Sequence, residues 1–203
     1  MFLIQLLLGF VISYLGSITP SMLNITAVKI SIDYNKKIAF RYVLGVSIVV
    51  IFQAFFALLF LKVILQNPLI LETIEKASVF IFAILSIVFF RKAIQENQQI
   101  ASEKSIKNGF LSGLGLSFIN MFSIPFYAGI GAVFNNYNWL QLDIISITLF
   151  SFGSAFGTYL ILDHYVLLAE KIKPKIAQFS KYLNYVLSLI TGLVAFIALV
   201  KML

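Results

Sequence analysis

The sequence predicts an all-α integral membrane protein with six transmembrane helices, arranged as two inverted three-helix repeats. Three observations predict it: a hydrophobic excess, the spacing of charge-free runs, and a proline-interrupted run that opens each half. Of 203 residues, 61% are hydrophobic and 11% charged, against about 45–50% and about 25% in soluble domains. A globule of this length has too little interior to hide that much apolar surface, so lipid is its natural solvent. The length suits one transmembrane domain over residues 1–203, with repeat halves of about 1–95 and 105–203.

The first charge-free run covers Met1 to Val28. No Lys or Arg precedes Lys29, so the basic start of a signal peptide is missing and the run reads as a retained first span. Tyr42 to Leu61 is the second span, and Ala77 to Phe90 the third. The third is shorter than the roughly 17–25 residues a crossing needs, which leaves a buried or re-entrant segment as the alternative. Arg91 and Lys92 would lengthen it by snorkelling. Asn108 to Leu142, Ile144 to Leu162 and Tyr182 to Val200 supply the last three.

Charge placement favours six. Twelve of the 15 basic residues then fall on the first, third and fifth connections, four on each; without the third span the division weakens to ten against five. The basic loops are expected in the cytoplasm and both termini outside. Basic residues that punctuate apolar runs in this way are a topology signal, and no nucleic-acid partner is expected. With no cysteine and a single histidine, no metal site or cofactor is expected either.

Each half opens on its longest uncharged run, broken at Ser17-Ile18-Thr19-Pro20 in the first and at Ser123-Ile124-Pro125 in the second. Three spans per half, an odd number, put the second copy upside down, the pattern of secondary transporters. Proline inside a helix costs about 3 kcal/mol, whereas at a helix start it is well placed, and Thr19 before Pro20 makes a good cap. Spans 1 and 4 are therefore expected to be broken at proline, each with a helix start whose free N–H groups would suit a carboxylate. The alternative is that both prolines merely kink packed helices.

Thr19, Pro20, Ser21 and Asn24 in the first span, Gln53 in the second, and Asn120, Ser123, Pro125 and Tyr127 in the fourth are the expected substrate-binding residues. Hydroxyls and amides of this kind also serve as interhelical glue. Asp163 and His164, near the end of the fifth span, are proton-coupling candidates; the alternative is a wet position at the cytoplasmic interface. Gly109-x-x-x-Gly113 and Gly153-x-x-x-Gly157 permit close helix contact, within one chain or between copies of a homo-oligomer.

The stretch Gly16-Ser17-Ile18-Thr19-Pro20-Ser21-Met22-Leu23-Asn24 resembles the opening motif of the lysine-exporter (LysE/RhtB) family. Gly45, the run from Gly109-Phe110-Leu111 to Asn120, then Ile124-Pro125-Phe126-Tyr127, and Ile190-Thr191-Gly192-Leu193 follow that family's order along nearly the whole chain. The family usually has Pro-Gly-Pro where this chain has Pro20-Ser21-Met22, and Asn-Pro where it has Asn120-Met121. The resemblance implies proton-driven efflux of an amino acid or related small polar metabolite across the bacterial cytoplasmic (inner) membrane, without enzymatic activity. The competing expectation is a non-transporting membrane scaffold or assembly factor whose basic loops dock partners.

Overall fold

The computed structural model describes residues 2–19, 21–95, 108–120 and 122–202, and all regular structure among them is helical. The helices are α1 (Phe2–Gly16), α2 (Met22–Asp33), α3 (Lys36–Gln66), α4 (Pro68–Gln95), α5 (Gly109–Ile119), α6 (Ser123–Asn136), α7 (Ile144–Leu167) and α8 (Ala169–Met202). The first and fourth charge-free runs thus each form two helices, α1 with α2 and α5 with α6. By length and apolarity α3 and α7 each suffice to cross a membrane, and α5 with α6, bent by 61°, makes a third candidate among the described residues.

Side-chain placement is that of a protein dissolved in lipid. Along α3 the apolar residues Leu44, Ile48, Phe52, Phe56 and Phe60 are exposed, one stripe at four-residue spacing, while Ser47 and Gln53 are buried. On α7, Phe152 and Phe156 face outward while Ser146, Ser151, Ser154 and Thr158 are buried. In water this would be an unstable inversion; in a bilayer it places hydrogen-bonding groups where protein can satisfy them.

The chain divides into two compact units, Met1–Val63 with Ser105–Lys173, and Ile64–Lys104 with Pro174–Leu203. The second comprises α4 and most of α8. There Ser86 Oγ donates to the Ser188 carbonyl at 2.9 Å and Ser188 Oγ returns the bond to the Ser86 carbonyl at 3.0 Å. Each such interhelical bond is worth about 0.6 kcal/mol on average.

The first unit is held by glycines that bring backbones together. A Cβ at Gly153 would lie 2.0 Å from the Leu6 carbonyl oxygen, and one at Gly9 2.1 Å from that of Phe150, so α1 and α7 touch main chain to main chain. Likewise a Cβ at Gly45 would lie 2.3 Å from the Phe110 oxygen and one at Gly113 2.1 Å from the Tyr42 oxygen, joining α3 to α5. Gly109 and Gly157 face Ile38 and Phe10. Both small-residue motifs are therefore used inside one chain. The first helix of each half packs on the first long helix of the other half.

The two interfaces share a register. Leu6 to Phe110 and Gly9 to Gly113 are steps of 104 residues, and Tyr42 to Phe150 and Gly45 to Gly153 are steps of 108. Both pairs run parallel, since Gly153 meets Leu6 and Phe10 while Gly157 meets Phe10 and Tyr14, and Gly109 meets Ile38 while Gly113 meets Tyr42. The long helices start on matched caps as well. Asn35 Oδ1 accepts from the Ile38 N–H at the head of α3, and Asp143 Oδ1 accepts from the Ile145 and Ser146 N–H groups at the head of α7. Asn35 and Asp143 are again 108 residues apart.

Candidate functional site

A broken helix leaves carbonyls at one end and N–H groups at the other, all of which need partners away from water. At the first break the helix ends at Gly16, and Thr19 Oγ1 turns back to the Gly16 carbonyl at 3.3 Å. The next helix is capped by Ser21, not by Thr19 as the sequence suggests. The reason is Asn24, three positions beyond Ser21. Its Oδ1 accepts from the Ser21 N–H at 3.3 Å and from Ser21 Oγ, a reciprocal cap that Thr19 has no partner to form. Asn24 Nδ2 donates to the Ser17 carbonyl at 2.7 Å, so one buried amide stitches the end of α1 to the start of α2. From α7, Tyr165 donates its hydroxyl proton to the Ile18 carbonyl at 2.6 Å. Pro20 lies outside the described residues.

At the second break, Asn120 ends α5, its N–H reaching the Leu116 and Ser117 carbonyls, and its Nδ2 donates to Ser123 Oγ at 3.2 Å. Gln53, buried on α3, donates from Nε2 to the Ser117 carbonyl at 2.8 Å and to the Asn120 carbonyl at 3.3 Å. Its Oε1 is buried with no hydrogen-bond partner. Pro125 is the third residue of α6, where its missing N–H removes no intrahelical bond. The chain leaves helical geometry before it, at Asn120 (φ −72°, ψ 77°).

What the structure sets against the start of α6 is the end of α1. A Cβ at Gly16 would lie 2.6 Å from the ring of Phe126. One residue on, the Tyr127 hydroxyl is 2.8 Å from Ser13 Oγ, and Ser13 Oγ is 2.7 Å from Thr158 Oγ1. Ser154, one turn before Thr158, faces the same tyrosine hydroxyl, and its buried Oγ makes no hydrogen bond. Ser13, Ser154 and Thr158 are absent from the sequence-derived site, although Ser151, Ser154 and Thr158, three and four residues apart on α7, mark a polar helical face.

The other candidates divide. Thr19, Ser21 and Pro125 are exposed, Asn120 and Ser123 half-buried, and Asn24, Gln53 and Tyr127 buried. Asp163, half-buried, and His164, exposed, occupy the last turn of α7, beyond the hydroxyl cluster. His164 meets Tyr14 edge-on at 6.1 Å between ring centres. No group of acidic, histidine or cysteine side chains suited to a metal occurs among the described residues.

Polar side chains buried at two helix breaks, inside an apolar exterior, describe a membrane protein with a polar interior. A search of curated proteins and of solved structures found no match. The family model of the LysE type translocators, a family of transporters, matches residues 14–202, which include both breaks. The chain belongs to the LysE type translocator family and is a multi-pass membrane protein that moves small molecules.

Proposed function

We propose that the protein exports an amino acid or a similar small zwitterionic metabolite across the bacterial cytoplasmic membrane, drawing on the proton gradient. The observation that carries this reading is the crossing of supports. Gln53, from the first half, holds the broken end of α5 in the second, and Tyr165, from the second half, holds the broken end of α1 in the first. A movement of one half against the other therefore changes both breaks together, which is what alternating access at a central site requires.

The shared register of the α1–α7 and α3–α5 contacts supports reading the halves as repeats, and six crossings make those repeats inverted. Gly109 begins α5 beside Ile38, at the start of α3, although the chain left α3 at its far end, Gln66. A third crossing would bring the chain back to the side from which α3 started. The 28 residues of α4, at about 1.5 Å each, are long enough to be that third crossing. The termini then face outside and the basic loops the cytoplasm. Gln53, Asn120, Ser123 and Tyr127 line the path in this reading, with Thr19, Ser21, Asn24 and Pro125 shaping the breaks. Asp163 and His164 couple it to protons, because they adjoin Tyr165, whose bond to the Ile18 carbonyl would respond to a change of charge beside it.

Vesicles containing the purified protein and loaded with a panel of amino acids test this. One substrate is expected to leave in a gradient-dependent manner. Asn120→Leu should abolish that release at equal protein level, and Asp163→Asn with His164→Ala should uncouple it from the gradient. Normal release by Asn120→Leu removes that residue from the path, and silence of the wild type across the panel overturns the amino-acid reading.

A further inference from the structure

We infer that the hydroxyls of Ser13, Tyr127, Ser154 and Thr158 form a buried site for a carboxylate group, which for a transported molecule would be its anionic end; that last step rests on the transport reading above. The four side chains come from α1, α6 and α7, and all are at least nine-tenths buried, with exposures of 1%, 3%, 0% and 4%. Four hydroxyls carry four donor protons. Only two hydrogen bonds join them, both through Ser13 Oγ, so two donor protons remain unused within the cluster. Ser154 Oγ is the plainest case, fully enclosed and bonded to nothing. A buried hydroxyl left in that state costs about 1–3 kcal/mol, a cost that a ligand rich in acceptors would remove.

The choice of an anion follows from the surroundings. Tyr127 stands one turn into the 14-residue helix α6, whose start carries roughly half a positive charge. No Asp or Glu contributes an oxygen to the cluster, and the nearest acid along α7, Asp163, lies five residues past Thr158. A bound cation would thus meet a repelling helix end and no counter-charge. A carboxylate meets spare donors and an attracting dipole, and hydrogen bonds to an ionised acceptor are about twice as strong as neutral ones.

The geometry also says how the site would open. Ser13 and Tyr127 bond each other across the seam where the end of α1 meets the start of α6, and Gly16 closes the same seam against the Phe126 ring. A carboxylate accepting from both hydroxyls replaces the Ser13–Tyr127 bond, so binding and separation of the two helices become one event.

Ser154→Ala separates this from a structural role. Removing a hydroxyl with no partner should leave thermal stability unchanged or slightly higher, while weakening carboxylate binding about tenfold to a hundredfold. Tyr127→Phe, which keeps the ring, should do the same with a small stability loss. The probes are the amino acids of the vesicle panel and their carboxamides, read by thermal shift of the purified protein and by counterflow. Amino acids that bind the wild type should bind better than their amides, and both variants should erase that preference. Equal binding of acid and amide by the wild type, or an undiminished preference in Ser154→Ala, overturns the site. If no amino acid binds or moves, the transport reading has failed. The site is then judged with acetate and propionate, which must stabilise the wild type more than Ser154→Ala, or it too is overturned.

Discussion

The two helix breaks meet the same physical demand in different ways. In the first, a residue of the broken span itself, Asn24, joins the end of one helix to the start of the next, and its side chain both accepts and donates. In the second, the carbonyls of Ser117 and Asn120, which also accept main-chain N–H groups, are tied to a different helix by Gln53, and half of that amide's bonding capacity is unused. A local stitch moves with the segment it joins. A long-range support can be withdrawn when its helix moves. The first break, stitched by Asn24 as well as tied to α7 by Tyr165, is accordingly the stiffer bend and the second the looser joint, although the helices around them pack in matching register.

The largest expected effects test the part of this comparison in which the halves are alike. Gly45 and Gly153 occupy equivalent contacts, and a side chain at either would drive into a partner's carbonyl oxygen. Backbone cannot yield as a flexible side chain does, so Gly45→Leu and Gly153→Leu should each cost at least about 3 kcal/mol. Both should be lost from the monodisperse fraction on size-exclusion chromatography. A well-behaved Gly45→Leu beside an unfolded Gly153→Leu would show that the matched register does not mean matched packing.

Effects of intermediate size sharpen the difference between the breaks. Asn24→Ala orphans the Ser17 carbonyl and the Ser21 amide, each worth about 1–3 kcal/mol when buried without a partner. It should lower the unfolding temperature clearly while changing efflux per folded molecule by less than about threefold. Gln53→Leu should show the reverse balance, with efflux per folded molecule down about a hundredfold (about 2.7 kcal/mol on the barrier) and a smaller thermal loss. Parallel melting and vesicle-efflux measurements decide it. Equal ratios of stability loss to transport loss in the two variants would erase the distinction between bend and joint.

How much of this was legible in the sequence depends on how far apart the partners lie. Charge is costly in lipid, so charge-free runs marked the helices directly, and α3 and α7 contain the second and fifth runs and extend past them. Ser17-Ile18-Thr19-Pro20 located the first break but misplaced its cap by two residues, because the cap is chosen by Asn24 as its reciprocal partner. The glycine motifs announced close contacts without saying with what, and only the fold shows that the partners are in the same chain. The hydroxyl cluster was least visible. Ser13 meets residues 114 and 145 positions away, and no local pattern encodes a pairing over that distance. Ser123-Ile124-Pro125 pointed to a helix start, and α6 begins at Ser123 with Pro125 in its first turn, while the change of direction comes earlier, at Asn120.

The smallest expected effect lies at the heads of the two long helices, where the halves differ by one functional group. Asn35 and Asp143 cap α3 and α7 at equivalent positions, one with an amide oxygen and the other with a carboxylate. Alanine at either should cost about 1 kcal/mol near neutral pH. The bonds from Ser146 and Ile145 hold the Asp143 carboxyl below the usual aspartate range. A carboxyl with a folded-state pKa below its unfolded value contributes stability that is complete above the unfolded value, about 3.9. That contribution fades as pH falls from there through the folded value. The Asn35 cap has no such titration. The loss in Asp143→Ala should therefore shrink on acidification below about pH 4, whereas the loss in Asn35→Ala should persist, as read from unfolding temperatures of both variants against the wild type at matched pH. A loss at Asp143 that stays constant down to pH 2 would mean that the cap acts as a neutral acceptor, like the asparagine it mirrors, and that the ionised form adds nothing to the helix start.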